Sequence, residues 1–310
     1  MRIVVAGSGG TGGYFGARLA RSGEDVTFLA HGAHLGAIRK NGLTIRSAVD
    51  GEWRIQARAV DSLDGHPVAD LVLFCVKSFD TESAARRLRP VVGPGTAVLS
   101  VQNGVDNEEK IAAILGADHV LGGVAYVFSN IESPGVIAHH QLGRIVLGEM
   151  AGGLSRRVED IVEACRKAGI DAEADAMIRI SLWRKYVFLV PLSGTTAVTR
   201  LPSRFIRDVP ETRELWRRQV GEMLALAPAE GVDLGAGAME SCVGLLESLS
   251  PNNYSSLYQD LVAGKRLELD AQYGHAVRLG ARHDVPTPTL LAVYGALMPY
   301  LNGRPEDAGA

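Results

Sequence analysis

A glycine-rich segment near the N-terminus, GSGGTG at residues 7–12, limits the folds open to this chain. It stands directly between a predicted strand and a predicted helix. In this context the first glycine permits a tight turn, the second lets backbone amides approach a pyrophosphate, and the third lets the helix pack closely on the strand. A turn that binds nothing is the alternative. We expect a dinucleotide to be bound by Gly7, Ser8, Gly9, Gly10, Thr11 and Gly12.

Short apolar runs alternate with helical spacing through the first half of the chain. The strand-like runs lie at residues 3–6, 25–30, 70–76, 96–101 and 119–127, with helical patterns between them. This alternation favours a parallel, doubly wound sheet. The pattern at 135–148 predicts a short antiparallel hairpin that turns at residues 141–143. A helix is predicted at 155–168 with Ser155 as its N-cap.

From about residue 178 the strand pattern disappears and six long helical patterns follow. We therefore expect an α/β chain in two parts, a Rossmann domain over residues 1–177 and an all-helical domain over residues 178–310. The last eight residues are polar and are expected to fray. Residues 290–301 are strongly apolar, which leaves two interpretations open: helical core, or a surface for a second copy in a homodimer.

Composition excludes several classes of function. The chain has 32 basic and 35 acidic residues, so no positive surplus points to a nucleic-acid partner. Its longest apolar stretch is too short to span a bilayer, and its first apolar run is too short for a signal peptide. Three widely spaced cysteines form no CxxC motif, and the adjacent His139 and His140 would point to opposite faces of a strand, so we expect no metal. These features favour a cytoplasmic protein without a membrane partner.

The residues at the end of the second predicted strand should determine whether the dinucleotide carries a 2′-phosphate. An acidic residue there would accept from a ribose hydroxyl and repel a 2′-phosphate. His31 follows this strand instead, with His34, Arg39 and Lys40 nearby in sequence and no acid among them. This favours NADP(H) over NAD(H), and a solvated basic turn is the alternative.

Five segments carry a resemblance to a known family. GSGGTGGYFG, VKSFDT, VQNGVDN, LWRK and SSLYQDLVAGKRLELD occur in this order, and together they resemble the ketopantoate reductase family over nearly the whole chain. The resemblance implies a Rossmann domain, a helical domain that holds substrate and catalytic groups, and an active site in the cleft between them. It also implies hydride transfer from NADPH to the 2-oxo group of 2-dehydropantoate, a step of pantothenate biosynthesis.

The resemblance assigns roles residue by residue. Lys185 matches the catalytic lysine, and Glu268 matches the active-site glutamate. Asn103 matches the asparagine between cofactor and substrate. Lys77 matches a lysine near the cofactor, and Ser256 matches a substrate-binding serine.

Elementary chemistry is consistent with these roles. Hydride delivered to a carbonyl carbon leaves an alkoxide, which needs a nearby cation and a proton. Lys185 can supply both, and Glu268 is a candidate for the opposing carboxylate. The structural alternatives are a surface lysine beside Arg184 and a first-turn helix glutamate. For Asn103 the alternative is a plain Asn-Gly turn, and for Lys77 it is an exposed loop lysine.

Four positions depart from the family pattern. The family tends to have Arg where this chain has His31, which weakens the prediction of NADPH, and it often has a capping Thr where this chain has Leu267. The family often has asparagines four and eight positions after the lysine, where this chain has Leu189 and Ser193. Ser193 can still hydrogen-bond a substrate, but Leu189 cannot, and a site without that partner loses discrimination for a substrate hydroxyl. Two alternatives therefore stay open: a related reductase of another 2-oxo acid or carbonyl, and a non-catalytic sensor of NADP(H). The Lys185–Glu268 pair argues against the sensor, which needs no proton donor.

Overall fold

The computed structural model describes residues 1–305, so part of the tail expected to fray lies outside the described residues. The chain divides into two compact units. The first comprises residues 1–102 and 106–181, and the second comprises residues 103–105 and the described residues from 182 onward. The sequence-based boundary at 177/178 coincides with the start of a long helix, Ile178–Thr199, and the compact units divide within that helix.

The first unit is built on one mixed sheet. Its strands are β1 Arg2–Ala6, β2 Asp25–Leu29, β3 Leu43–Ser47, β4 Gly51–Ile55, β5 Arg58–Val60, β6 Leu71–Phe74, β7 Ala97–Ser100, β8 Val120–Ser133, β9 Val136–Glu149 and β10 Asp171–Ala174. Their order is β4-β3-β9-β8-β7-β6-β1-β2-β5, and β10 also pairs with β9. The run from β5 to β8 is parallel throughout, in the strand order of a Rossmann fold. The predicted fold class is confirmed for this part.

Helices cover both faces of this sheet because its central strands are apolar on both sides. They are α1 Gly10–Arg21, α2 Gly32–Asn41, α3 Thr81–Leu88, α4 Asn107–Leu115 and α5 Arg156–Lys167. Ile3 and Val5 of β1 face a core cluster shared with α1, α2 and α5. Val4 and Ala6 face a second cluster shared with α3 and α4. Ser155 caps α5 as predicted, since its side chain accepts from the amide of Val158.

The predicted hairpin at 135–148 is wrong. These residues form one long strand, β9, antiparallel to β8, and the turn lies at residues 134–135, where Gly135 has a φ of 81°. Leu142 and Gly143 also have positive φ, and the pairing register shifts beside them. This bulge interrupts the strand pattern in the sequence and so resembles a turn.

The sheet has more strands than the sequence predicted. The sequence patterns missed β3, β4 and β5, which lie between β2 and β6 in the chain. The strands β3 and β4 form an antiparallel pair on the far side of β9, so one edge of the sheet is mixed. Both edge strands are short and bury few side chains, so their sequences carry only a weak strand signal.

The second unit is helical over its described residues. Its helices are α6 Ile178–Thr199, whose first four residues belong to the first unit, α7 Arg204–Asp208, α8 Pro210–Ala229, α9 Ala238–Ser248, α10 Ser256–Val262, α11 His275–His283 and α12 Pro288–Leu297. A single π turn, Asp270–Gly274, leads into α11. Helix α12 buries Leu290, Val293 and Leu297 in the core and leaves Leu291 exposed. Homodimer formation stays a prediction.

None of the helices in residues 1–305 is both long enough and apolar enough to cross a lipid bilayer.

Candidate active site

The glycine loop joins β1 to α1 and is shaped by close backbone packing. Gly7 has a φ of 97°, and a Cβ there would lie 2.6 Å from the backbone nitrogen of Val76. A Cβ on Gly12 would lie 2.2 Å from the carbonyl oxygen of Gly7. Gly10 is equally constrained, because its Cβ would lie 2.2 Å from the carbonyl oxygen of Ser129 in β8. Only glycine fits these three positions without a backbone shift.

Gly9 is different, because a Cβ on it would meet nothing within 4 Å. Gly9 is the N-cap residue of α1, and the first turn of that helix carries no acidic side chain. The amides of this turn therefore present their partial positive charge beside open space, which fits a pyrophosphate. Thr11 lies half-buried in the same turn. The Ser8 hydroxyl donates to the carbonyl of Leu29 at 2.9 Å, so this side chain fastens the loop to β2.

His34 fastens the loop from the other side. Its Nδ1 accepts from the amide of Gly135 at 3.1 Å, so Nε2 carries the ring proton and donates to the carbonyl of Ser8 at 2.9 Å. Burial lowers the pKa of His34, which favours this neutral form, although the bond to Ser8 opposes the shift. The residue that we placed among the cationic neighbours of the cofactor is therefore a neutral bridge between the loop and the β8–β9 turn.

The end of β2 carries a charged cluster that the sequence reasoning described only in part. His31 precedes α2 as its N-cap, and Arg87 of α3 donates to its Nε2 at 3.0 Å. Asp61, which follows β5, accepts from Arg39 at 3.1 Å. An acid is thus present at this strand end, contrary to the sequence-based expectation. Asp61 lies remote in sequence and reaches the site because β5 pairs with β2.

The loops after β6 and β7 are tied together by Gln102. Its side-chain Nε2 donates to the carbonyl of Val76 and to the hydroxyl of Thr81, both at 2.9 Å. Lys77 follows Val76, is exposed, and precedes a short 3₁₀ turn. Asn103 follows Gln102, is half-buried, and belongs by compactness to the second unit. Gln102 is a positioning residue that the motif comparison did not single out.

Lys185 and Glu268 lie in the second unit on elements joined by a hydrogen bond. The hydroxyl of Tyr186, next to Lys185 in α6, lies 2.5 Å from the carbonyl oxygen of Gln272 in the π turn. Glu268 precedes that turn and is 7% exposed, whereas Lys185 is half-buried. Single π turns inside helices are frequent at functional sites, because they re-aim the neighbouring side chains.

The two serines differ in surroundings. Ser256 is exposed at the first position of α10, and its neighbour Ser255 caps that helix by accepting from the amide of Tyr258. Ser193 is fully buried in α6, and its Oγ has no hydrogen-bond partner among the described residues. A buried hydroxyl without a partner is costly, so Ser193 Oγ is available to a ligand or water.

Tyr254 and Tyr258 flank Ser256 and stack with ring centroids 4.4 Å apart. Sequence reasoning did not single them out. Their spacing of four residues, one helical turn, was the available signal.

Within residues 1–305, no three His, Cys, Asp or Glu side chains form a group that could hold a metal ion. A cavity of about 440 Å³ in the first unit is lined by Met1, Asp70 and Ala97 among others, at the amino ends of β1, β6 and β7. Ligands of open α/β sheets bind at the opposite, carboxyl ends, where the glycine loop lies.

Comparisons with known proteins place the chain in a family. The sequence profile described as Ketopantoate reductase PanE/ApbA matches residues 3–152, and the profile of its C-terminal part matches residues 177–300. A 2-dehydropantoate 2-reductase of Halobacterium salinarum is 32% identical over 293 residues, which cover 94% of this chain and 95% of that protein.

Solved structures agree with the sequence comparison. The crystal structure of 2-dehydropantoate 2-reductase from Geobacter metallireducens GS-15 matches with a TM-score of 0.90 and 31% identity, covering 96% of this chain and 99% of that one. A D-mandelate dehydrogenase with NADH and anilino(oxo)acetate also reaches a TM-score of 0.90, covering 97% of this chain and 98% of that one, but at 21% identity it shows the fold alone. This chain belongs to the ketopantoate reductase family and is an oxidoreductase acting on CH–OH groups.

Proposed function

We propose that this protein reduces 2-dehydropantoate to pantoate with NADPH, using Lys185 as the general acid. The names of its relatives support the substrate. The observation that carries the mechanism is the bond from Tyr186 to the π turn, which holds the helix of Lys185 to the segment that follows Glu268. The first unit would bind the dinucleotide and the second would supply the substrate and proton-transfer groups.

The first unit fits the cofactor. The open space at Gly9 and the amides of α1 would accept the pyrophosphate, with Lys77 near the cofactor and His31 at the ribose end. When bound, NADPH supplies the hydride that reduces the carbonyl carbon.

The chain's own task is to manage the charge that reduction creates. As the substrate's 2-oxo oxygen gains negative charge, the Lys185 ammonium stabilises it and then donates a proton, which yields the alcohol. Glu268 is buried, and its carboxylate would keep Lys185 charged and oriented. Asn103, Ser193 and Ser256 would bind the substrate's polar groups.

Replacing Lys185 tests this mechanism. We expect Lys185→Ala to lower kcat by about 10²-fold or more, because the general acid is lost, while the NADPH dissociation constant stays unchanged. The measurement is loss of NADPH absorbance with 2-dehydropantoate, beside NADPH binding followed by fluorescence. Lys167→Ala, which removes an exposed lysine paired with Glu163, is the control for loss of positive charge.

An unchanged kcat in Lys185→Ala would remove this lysine from the mechanism. Tight NADPH binding without turnover of any 2-oxo acid by the unmodified protein would favour the sensor instead of a reductase.

A second substrate class is favoured by specific residues. Leu189 stands one helical turn after Lys185, and the stacked Tyr254 and Tyr258 flank Ser256. An apolar side chain and an aromatic pair suit a less polar 2-oxo acid. A panel of branched and aromatic 2-oxo acids compared by kcat/KM decides between the two. Leu189→Asn should raise kcat/KM for 2-dehydropantoate relative to the apolar acids if Leu189 lies against the substrate.

A further inference from the structure

The cluster at the end of β2 contains two guanidinium groups, and one of them, that of Arg87, contacts His31. Arg87 donates through Nη1 to His31 Nε2 at 3.0 Å and through Nη2 to the carbonyl of Asp61. Arg39 donates to the carbonyl of Ala59 at 3.0 Å and to the carboxylate of Asp61 at 3.1 Å. The four side chains converge because the amide of Ala30 pairs with the carbonyl of Val60, which aligns the ends of β2 and β5.

The charges in this cluster do not cancel. The carboxylate of Asp61 is engaged by Arg39, whose side chain is 50% exposed. Within residues 1–305, Arg87 hydrogen-bonds to the backbone carbonyl of Asp61 and to the imidazole of His31, and neither of these groups carries a negative charge. A guanidinium has five N–H donors, so Arg87 keeps donors beyond the two used here. The result is an exposed cation beside the strand end that selects between ribose hydroxyl and 2′-phosphate.

We propose that Arg87 is the residue that recognises the 2′-phosphate of NADP(H), with His31 orienting its guanidinium. The inference rests on the proposed NADPH dependence. A guanidinium presents two parallel N–H donors that match two oxygens of a phosphate. An imidazole has one nitrogen on each side of its ring and can therefore offer a phosphate only one N–H donor at a time. His31 accepts from Arg87 through Nε2, so its ring proton lies on Nδ1, and the imidazole holds the arginine without competing for the anion. Asp61, neutralised by Arg39, repels the phosphate less than a bare acid would.

A pair of ligands that differ only in the phosphate isolates this contact. Adenosine 2′,5′-bisphosphate and 5′-AMP share every other group, so calorimetric binding of both measures recognition of the 2′-phosphate without turnover. We expect the unmodified protein to bind the bisphosphate more tightly. Arg87→Gln should weaken the bisphosphate by at least about tenfold and leave 5′-AMP unchanged, as loss of a charge-assisted hydrogen bond predicts.

Two further variants complete the test. Arg86→Gln removes the adjacent arginine of α3, which is exposed and paired with Glu82, so both affinities should stay unchanged. His31→Ala removes the group that orients Arg87, so it should weaken the bisphosphate by less than Arg87→Gln does. Thermal unfolding of each variant confirms that it is folded.

The outcomes separate the inference from the function on which it rests. Equal weakening of both ligands by Arg87→Gln would mean that Arg87 only supports the loop, and this would overturn the inference. A retained preference for the bisphosphate in Arg87→Gln would also overturn it while leaving NADPH dependence intact. No preference in the unmodified protein would instead refute the NADPH dependence itself. Reduction of 2-oxo acids with NADH would then show whether the reductase function survives.

Discussion

At the scale of single residues, the glycine loop could be predicted because the need for glycine arises from nearby backbone atoms. Gly7 and Gly12 meet backbone atoms a few residues away or on the neighbouring strand, and the motif spacing encodes this. The identity of the neighbours at His31 could not be predicted. Asp61 and Arg87 come from other elements, and only the pairing of β2 with β5 and the placement of α3 bring them there.

The glycines offer a matched pair of substitutions. Gly9 has a φ of −73° and open space around its Cβ position, so Gly9→Ala should leave the melting temperature unchanged but weaken NADPH binding, by about tenfold or more. Gly12→Ala forces a Cβ against the Gly7 carbonyl and should lower the free energy of unfolding by about 2 kcal/mol or more. Calorimetric unfolding and NADPH titration measure both. Equal loss of stability in the two variants would contradict the distinction between a ligand-facing and a packing glycine.

Glu108 lies fully buried in the first turn of α4, the helix that follows the loop containing Asn103. Desolvation by burial is the main cause that raises the pKa of its carboxyl from 4.5 to about 7, and neither carboxylate oxygen has a hydrogen-bond partner among the described residues. The folded state therefore holds a proton that the unfolded state has released between these pH values. The contribution of Glu108 to stability is present below about pH 4.5 and is lost as the pH rises through about 7.

Glu108→Gln removes this dependence. We expect the free energy of unfolding of the unmodified protein to fall, relative to this variant, between about pH 5 and pH 8. Urea unfolding at a series of pH values measures it. Glu109→Gln is the control, since Glu109 is the exposed neighbour in the same helix. Parallel pH profiles for the unmodified protein and Glu108→Gln would show that Glu108 does not titrate in this range.

At the scale of elements, helices and central strands were predicted better than edges. The buried strands β6 and β7 have continuous apolar sequences, and the amphipathic α5 carries its own cap. The edge strands β4 and β5 bury few side chains, so their sequences lack a strong period. The β8–β9 hairpin was misplaced because Leu142 and Gly143 interrupt β9 with positive φ values. The π turn after Glu268 gives no sequence signal, since its residues fit an ordinary helix.

The bulge in β9 yields a prediction of its own. Leu142 has a φ of 64° and is 58% exposed. Its backbone therefore has the strain of a left-handed conformation, and its side chain gains little burial to offset that strain. Leu142→Gly should raise the free energy of unfolding by roughly 0.5–1 kcal/mol. Leu154→Gly is the control, because Leu154 is 59% exposed and has no positive φ, and it should lose stability. Destabilisation of both variants to the same extent would show that the Leu142 backbone carries no strain.

At the scale of the whole molecule, the sequence predicted a Rossmann part followed by a helical part, and the fold confirms that class. The roles of Lys185 and Glu268 came from resemblance to a family. Composition and spacing alone gave only a lysine before an apolar run and an acid near a helix start. The structure adds that Tyr186 joins their two elements. Our proposal that Leu189, Ser193 and the tyrosine pair influence substrate choice comes from their surroundings, and no sequence pattern predicts their effect on affinity.

The strands β3 and β4 lie beyond β9 in the order of the sheet, and this position has a consequence for folding during synthesis on the ribosome. These strands are translated early, yet β3 completes its sheet position only against β9, as in the bond between Ser47 and His139, 92 residues apart. Until β9 emerges, residues 43–55 have no sheet to join. We therefore expect the β3–β4 hairpin to stay outside the sheet during synthesis until β9 has been translated.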